Sequence, residues 1–355
     1  MRNYLFYIVF CLAFASCIRD EIQPCPPLQV RIAVKDKNYF NIHEVARLGY
    51  AEKLAEDLPF REYVSTLYYI LTNAETGETV VEQPLMTLTS GDAVLPVSFP
   101  QEMPFGEYVL TVWGNMQSMR PLADDATASD LHLYNAEGND VYVSTDTLLY
   151  DVSHFEYQVE LERVKGKLIV EAENLPDHID YSTKEISNVY AYITASLQYG
   201  RETSVRTDTL WQEPNRILTE TLLCPSTDID ASTLSVNFYA TGRGLRAESS
   251  PNWIAPEDVQ ISMLRNTITI LRYVYVSGGT DIPNPPDPGP DPDEPDPDEP
   301  DEPDNPDEPD NPDNPNPDVP DIPEEPDPGG DGNSKFKLYV LINDNWETDH
   351  EMGID

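Results

Sequence analysis

The sequence predicts an all-β protein made of two tandem antiparallel β-sandwiches. Many short stretches alternate apolar and polar residues with a period of two and are rich in Val, Ile, Thr, Tyr and Phe, as half-buried strands are. Turn-forming residues separate these stretches about every 8–12 residues, a spacing that favours a sandwich or barrel. No stretch longer than a few turns has the 3.6-residue periodicity of a helix. The 355 residues suffice for two ordinary domains of about 100–200 residues each.

The chain begins with the features of a bacterial lipoprotein signal peptide. Arg2 is followed by an apolar run at residues 4–14 that contains no charge and is too short to span a bilayer. Two small residues directly precede Cys17, which resembles a lipobox, in which the cysteine is lipidated and becomes the mature N-terminus. We therefore predict a signal peptide at residues 1–16 and acyl chains such as palmitate on Cys17. The alternative is an ordinary signal peptide with a coincidental cysteine.

Two acidic residues, Asp20 and Glu21, follow closely behind Cys17. Such a pair resembles the surface-export signal of Bacteroidetes-type lipoproteins. Each buried CH₂ of an acyl chain contributes about 0.8 kcal/mol, so several chains together anchor a protein stably. The sequence therefore predicts a lipid-anchored protein exposed at the surface of the outer membrane.

The first predicted sandwich occupies residues 17–154. Residues 28–34 alternate as a half-buried strand, and residues 63–72 pass through a glycine-containing turn into a second strand at 79–82, which predicts a hairpin. Residues 41–61 have a mixed pattern, and the sequence does not decide whether they include a short helix. Further strands are predicted at residues 84–88, 93–99, 106–114, 131–134 and 140–142.

The second predicted sandwich occupies residues 155–280. Residues 155–163 alternate cleanly, residues 164–167 form a turn, and a strand follows at 168–172. Further strands are predicted at residues 189–198, 208–211, 216–223, 234–240 and 267–276.

Residues 281–333 consist almost entirely of Pro, Asp, Glu and Asn, and they hold 21 of the 64 acidic residues but no Lys, Arg or His. Such a tract cannot bury an apolar face, and it predicts a disordered linker that reaches on the order of 160 Å if fully extended as polyproline II. An extended chain does not converge the 6–8 oxygens that Ca²⁺ requires, so we predict no metal site and no cofactor. The net charge of −42 argues against nucleic acid as a partner, because a duplex is bound through Lys and Arg.

One more strand is predicted in the C-terminal segment at residues 334–355. Its alternation places four apolar residues on one face, and these are Phe336, Leu338, Val340 and Ile342. A lone strand is not stable in water, because its backbone hydrogen bonds and apolar face must be completed elsewhere. The strand therefore either closes the second sandwich in cis or pairs with another molecule, and the cis arrangement is favoured because a folded subunit must not leave an open edge exposed.

Two cysteines remain once the signal peptide and the lipidated residue are set aside. Cys25 and Cys224 are an even pair in a compartment where disulfides persist, and each directly precedes a proline. We predict a Cys25–Cys224 disulfide, with two buried free thiols as the alternative.

The sequence contains no recognisable catalytic constellation. Its five histidines lack metal-ligand spacing, and no HExxH motif, nucleophile elbow, phosphate-binding loop or dinucleotide fingerprint is present. Paired carboxylates are too numerous to single out a glycosidase pair. We therefore predict that the protein is not an enzyme. Among the four tryptophans, only Trp253 lies in a stretch typical of a loop, where it could stack on a sugar.

Several stretches together resemble the FimB-type fimbrial anchor and minor-subunit lipoproteins of Bacteroidia-type (type V) fimbriae. They are the lipobox with its trailing acids, the opening at Cys25 and Pro26 with residues 30–34, the Gly-x-Tyr…Trp-Gly-Asn pattern at residues 106–115, and residues 159–170. The resemblance covers most of residues 17–276. It implies two transthyretin-like sandwiches, a lipid anchor in the outer membrane, other fimbrial subunits as partners, and a role in attaching or capping a fibre.

Three functional hypotheses follow. In the first, the protein is a fimbrial anchor or minor subunit that assembles by β-strand complementation, with Phe336, Leu338, Val340 and Ile342 filling pockets of a neighbour. In the second, it is a surface glycan-binding lipoprotein, which requires an exposed aromatic platform. In the third, it is a structural surface lipoprotein without a specific ligand.

Overall fold

The computed structural model describes residues 26–133, 138–211, 216–240, 253–276, 335–342 and 345–352. For residues 335, 341, 342 and 345–352 it describes the backbone alone. The fold is all-β, as predicted, with one short α-helix, α1 (Ile42–Arg47), in the region that the sequence left open. Within the described ranges, no helix is long and apolar enough to cross a membrane.

Eight strands lie in the first half of the described chain: β1 (Gln29–Val34), β2 (Thr66–Asn73), β3 (Thr79–Thr87), β4 (Leu95–Ser98), β5 (Gly106–Gly114), β6 (Ala128–Asp130), β7 (Tyr142–Tyr150) and β8 (Glu156–Arg163). All but β6 form one curled sheet in the order β3-β2-β5-β7-β8-β1-β4. β7 and β8 pair only at Tyr142↔Arg163 and Val143↔Glu162, so the sheet can fold over at this point. The inward faces of both halves contribute to one apolar core, which makes this unit a sandwich.

Ten strands lie in the second half: β9 (Gly166–Glu173), β10 (Tyr181–Thr194), β11 (Tyr199–Leu210), β12 (Arg216–Leu223), β13 (Ser232–Tyr239), β14 (Trp253–Ile254), β15 (Val259–Ile261), β16 (Ile268–Val276), β17 (Lys335–Ile342) and β18 (Asn345–Met352). One sheet has the order β11-β10-β13-β14, with β15 also paired to β13 and β6 to β10. The facing sheet has the order β12-β9-β16-β17-β18. A second apolar core fills the space between these two sheets.

Most pairings are antiparallel, as predicted, but β1 pairs with β8 in parallel and so does β9 with β16. Parallel neighbours need long crossover connections, and each of these pairs joins strands far apart in the sequence. The predicted strands at 106–114 and 216–223 match β5 and β12, whereas residues 131–133 form a turn after the unpredicted strand β6.

The two halves are joined more closely than the predicted boundary at residue 155 implies. β8 begins just after that boundary, yet it pairs with β1 over six residue positions and with the first two residues of β7, so it belongs to the first sheet. β6 crosses in the other direction and pairs with β10. α1 packs through Ile42 and Val45 against isoleucines of β9 and β16. The second sandwich therefore begins after Arg163.

Close backbone packing requires a glycine at the junction between the two sandwiches. Gly166 opens β9, and a Cβ atom placed there would overlap the backbone carbonyl oxygen of Leu264. Because the obstacle is backbone, it cannot be relieved by rotating a side chain, so residue 166 must be glycine for β9 to lie this close to the chain before β16.

Candidate functional site

The predicted C-terminal strand lies inside the second sandwich in this structure. β17 pairs antiparallel with β16 from Ile270↔Leu341 to Val276↔Lys335. Three of the four predicted pocket-filling side chains are buried in the core: Phe336 and Leu338 are 0% exposed and Val340 is 6% exposed. The side chain of Ile342 lies outside the described residues.

Phe336 makes the most contacts of these three with aromatic rings. Its ring stacks on Phe238 of the opposite sheet, with centroids 5.7 Å apart, and meets Tyr273 and Tyr275 edge-on at 6.1 and 5.4 Å. Burying three apolar side chains of this size contributes on the order of 6 kcal/mol of hydrophobic free energy. Without β17, the neighbouring aromatic residues would line an open groove along β16.

The connection between β16 and β17 is far longer than their geometry requires. Val276 and Lys335 are paired neighbours, so their Cα atoms lie only about 5 Å apart. Hairpin connections between such strands are commonly 2–5 residues long. Here 58 residues of sequence, 277–334, separate them, including the whole acidic tract.

The described chain begins at an end of the first sandwich where apolar side chains are exposed. The Tyr150 hydroxyl donates a hydrogen bond to the Pro26 carbonyl oxygen at 2.9 Å, and the Phe105 ring meets the Tyr150 ring edge-on at 5.1 Å. Phe105 is 47% exposed, and Val152, in the turn between β7 and β8, is 65% exposed. Cys17, the predicted lipidation site, lies outside the described residues, nine positions before Pro26 in the sequence.

The predicted disulfide involves one residue that the structure describes. Cys224 is a buried free thiol, and burial raises its pKa to about 12. It directly follows Leu223, which pairs with Gly166 just beyond the end of β8, whereas Pro26 lies near the start of β8. Cys25 lies outside the described residues, so the Cys25–Cys224 bridge stays a prediction.

A buried charge that no sequence motif marks, Arg163, lies between the sandwiches. The Arg163 guanidinium lies between the rings of Tyr39 and Tyr142, 4.1 and 5.1 Å from their centroids, and its Nε donates to the Asp140 carboxylate at 3.0 Å. The Asp140 carboxylate compensates the charge of Arg163, and the guanidinium also donates to the side-chain oxygen of Asn266 in the second sandwich. Because Asp140 belongs to the first sandwich and Asn266 to the second, these contacts of Arg163 join the two sandwiches. No sequence motif marks this arrangement, since its members are far apart in the chain.

Two further buried bases have strongly lowered pKa values. Burial, reinforced by the nearby Lys165 ammonium, lowers the pKa of His132 to about 3, and its Nε2 accepts a hydrogen bond from the Cys224 backbone N–H at 3.2 Å. Burial lowers the pKa of Lys184 to about 7, and its Nζ donates to the Thr219 hydroxyl at 2.9 Å. The described residues contain no group of three or more His, Cys, Asp or Glu able to hold a metal ion.

Trp253 lies on the outer surface of the second sandwich and is 44% exposed. It pairs with Tyr239 of β13, Tyr239 pairs with Tyr181 of β10, and Tyr181 pairs with Leu210 of β11. Directly paired residues on neighbouring strands point to the same face of a sheet, so these four side chains form one row across four strands. We call this set of Leu210, Tyr181, Tyr239 and Trp253 the aromatic row. The sequence alone marks only Trp253, because the register between strands is needed to find the other three.

Comparison with known proteins gives structural similarity only. No protein-family model matches the chain, and no curated protein matches it. Similar solved structures include a protein described as an adhesin from Bacteroides thetaiotaomicron (TM-score 0.45, 12% identity, covering 71% of this chain and 92% of that chain). A second is the fimbrial anchor protein Mfa2 from Porphyromonas gingivalis (TM-score 0.38, 12% identity, covering 71% of this chain and 91% of that chain). A third is a fimbrial assembly protein from Parabacteroides distasonis (TM-score 0.37, 9% identity, covering 70% of this chain and 90% of that chain). At these TM-scores the likeness supplies no residue correspondence.

Proposed function

We propose that this chain is a lipid-anchored surface protein of the outer membrane that acts as a fimbrial anchor or minor subunit and joins its neighbours by β-strand complementation. Cys17 carries the lipid, and β17 is the strand that can be exchanged between copies or subunits. Main-chain hydrogen bonds provide the affinity in such an exchange, and alternate side chains that fill pockets set the register.

The excess length of the connection to β17 is the observation that carries this proposal. A short turn would close the hairpin between Val276 and Lys335 at a lower entropic cost, since closing a loop of n residues costs about (3/2)RT ln n. A connection of 58 residues instead lets β17 leave its own sheet and reach the same groove in a neighbouring molecule. The cis pairing then protects the groove until a partner is present.

The position of Pro26, the first described residue, supports the anchoring part of the proposal. Pro26 lies against Tyr150 at the end of the first sandwich that exposes Phe105 and Val152. Nine residues beyond Pro26 toward the N-terminus is Cys17, so a lipid there would hold this end close to the bilayer. The partly exposed apolar side chains would then face the membrane surface, and the second sandwich would be directed away from it.

Strand exchange can be tested with a version of the mature protein that ends at residue 333, together with a biotinylated peptide of residues 334–355. We expect the shortened protein, refolded with the peptide, to retain it through gel filtration. A peptide with Phe336→Ala and Leu338→Ala should not be retained, whereas the matched Lys337→Ala peptide, altered on the opposite face, should be. Failure of the unaltered peptide to bind under co-refolding would contradict strand complementation.

The fimbrial assignment is tested by isolating the intact protein from its native outer membrane and identifying the proteins bound to it. We expect other β-sandwich subunits in a ladder of sizes, and we expect the ladder to disappear when residues 334–355 are removed. Recovery of the lipoprotein alone would refute the fimbrial assignment.

A further inference from the structure

We propose that the aromatic row on the second sandwich is a binding platform for a neutral glycan. This function is separate from fibre assembly, because the row lies on the outer face of the β11-β10-β13-β14 sheet, whereas β17 belongs to the opposite sheet.

The residues of the row are unusual for their position. The solvent-facing side of an antiparallel sheet is normally polar, and single exposed apolar residues are common, but an aligned set is informative. Here Leu210 and Trp253 at the two ends are 47% and 44% exposed, and Tyr181 and Tyr239 between them are partly exposed. The two tyrosine rings lie 6.0 Å apart. Four strands at about 4.8 Å spacing give the row a length of about 14 Å.

A row of hydrogen-bonding groups runs beside the aromatic row on the same face. Two positions further along each strand, Asp208, Thr183 and Asn237 are paired with one another across β11, β10 and β13. Asp208 is exposed and Asn237 is partly exposed, whereas Thr183 between them is buried, so Asp208 and Asn237 supply the accessible polar groups of this row. The Tyr181 hydroxyl is also hydrogen-bonded to Asp208.

A third row continues the polar surface. Arg206, Glu185 and Ser235 are paired across the same three strands, and the Ser235 hydroxyl donates to the Asp258 carboxylate at 2.5 Å. Both charged residues, Arg206 and Glu185, are exposed. Carboxylate, amide, hydroxyl and guanidinium groups therefore line one side of the apolar strip.

This combination matches the chemistry of a sugar. A pyranose ring has an apolar face of C–H groups that stacks on an aromatic ring, while hydroxyl groups at its edge donate and accept hydrogen bonds. Tyr and Trp combine large apolar faces with a polar atom, which suits them to such amphipathic surfaces. The side-by-side arrangement of a stacking strip and a hydrogen-bonding strip lets a chain of sugar rings lie along the aromatic row.

Charge selects the class of glycan and argues against other occupants. The net charge of −42 repels anionic polysaccharides. A stable protein partner needs roughly 800 Å² of complementary surface on each side, with few charges at its centre, whereas this strip is one residue wide and is bordered by charged groups. A neutral polysaccharide meets neither obstacle.

The test uses the intact mature protein in detergent micelles and native affinity electrophoresis in gels that contain yeast mannan, laminarin or xylan as neutral polysaccharides. We expect retardation by at least one of these and none by dextran sulfate. Trp253→Ala should weaken the retardation at least tenfold, and Trp253→Phe should keep most of it. Phe105→Ala removes a similarly exposed aromatic residue from the first sandwich and is the matched control, which should behave as the unaltered protein does.

The urea unfolding midpoint of each variant shows that the fold is intact. Equal retardation of Trp253→Ala and the unaltered protein would overturn the proposal, and so would the absence of retardation by every neutral polysaccharide. Self-association that is lost in Trp253→Ala would instead assign the row to a contact between copies of the chain.

Discussion

Phe336 is the side chain through which the C-terminal segment is held in the second sandwich. It is fully buried and contacts three aromatic rings, from β13 of one sheet and β16 of the other. Its partners come from strands that are far from it in the sequence. The closing strand therefore depends on tertiary contacts, and not on contacts within its own segment.

Phe336→Ala should reduce the free energy of unfolding by about 3–5 kcal/mol, because it leaves a cavity between the two sheets. Lys337→Ala, on the adjacent strand position that faces away from the core, should change it by no more than about 0.5 kcal/mol. Urea denaturation followed by tryptophan fluorescence measures both. Equal effects of the two substitutions would show that β17 is not packed in the core in solution.

His132 makes stability depend on pH. Burial lowers its pKa from the usual 6.5 to about 3, so between these values the unfolded chain binds a proton that the folded chain does not. Stability therefore rises with pH across this window and is lost as pH falls, by up to about 1.4 kcal/mol per pH unit for one group. His132→Gln retains an acceptor for the Cys224 N–H without this protonation. The slope of unfolding free energy between pH 4 and pH 6.5 should be shallower in this variant, and identical slopes would contradict the assignment.

The position of strand β9 depends on the close approach of its backbone to the backbone at Leu264. Its first residue, Gly166, lies against the Leu264 carbonyl, which leaves no room for a side chain. β9 in turn lies between β12 and β16, so a displacement of this strand disturbs its pairing with both neighbours.

Gly166→Ala should destabilise the protein by about 1–3 kcal/mol, as overpacking of a closely packed site does. Gly91→Ala is the control, because a Cβ atom there meets nothing within 4 Å. Removing glycine at an open position changes stability little or raises it by about 0.4–1 kcal/mol through the unfolded state. Thermal unfolding of both variants distinguishes these effects, and a neutral Gly166→Ala would place β9 further from the Leu264 carbonyl.

At the scale of the whole molecule, the proposed anchor and the exchangeable strand lie at opposite ends of the sequence. Anchoring is tested by Cys17→Ala in the full-length protein. Metabolic labelling with palmitate should be lost, and the protein should move from the membrane fraction to the soluble fraction. A double substitution of Asp20→Asn and Glu21→Gln is the matched control, because it should keep the lipid while reducing surface exposure. Retained labelling in Cys17→Ala would refute lipidation at this residue.

The length of the tether is tested by replacing residues 277–334 with a two-residue Asn-Gly turn between β16 and β17. Closing a loop of about four residues in place of 58 should stabilise the cis form by about 2 kcal/mol. Incorporation into fibres should fall, because β17 can no longer reach a neighbour. Gel filtration and fibre purification measure the outcome, and unchanged incorporation would show that cis closure is the functional state.

The sequence by itself determined the class of the fold and the position of most strands. Alternation with a period of two is a local property, so β5 and β12 could be located from their own residues. The same property predicted the apolar face of the closing strand, of which Phe336, Leu338 and Val340 are buried.

Only the tertiary structure decided which strands are neighbours. Alternation tells which side of a strand is apolar but not which strand lies beside it, so the residues of β8 do not by themselves reveal that β8 pairs with β1. The burial of Arg163 between two tyrosines and the alignment of Tyr181, Tyr239 and Trp253 depend on register between strands that are distant in the chain. Such contacts leave no local pattern, because their energy comes from groups that the fold alone brings together.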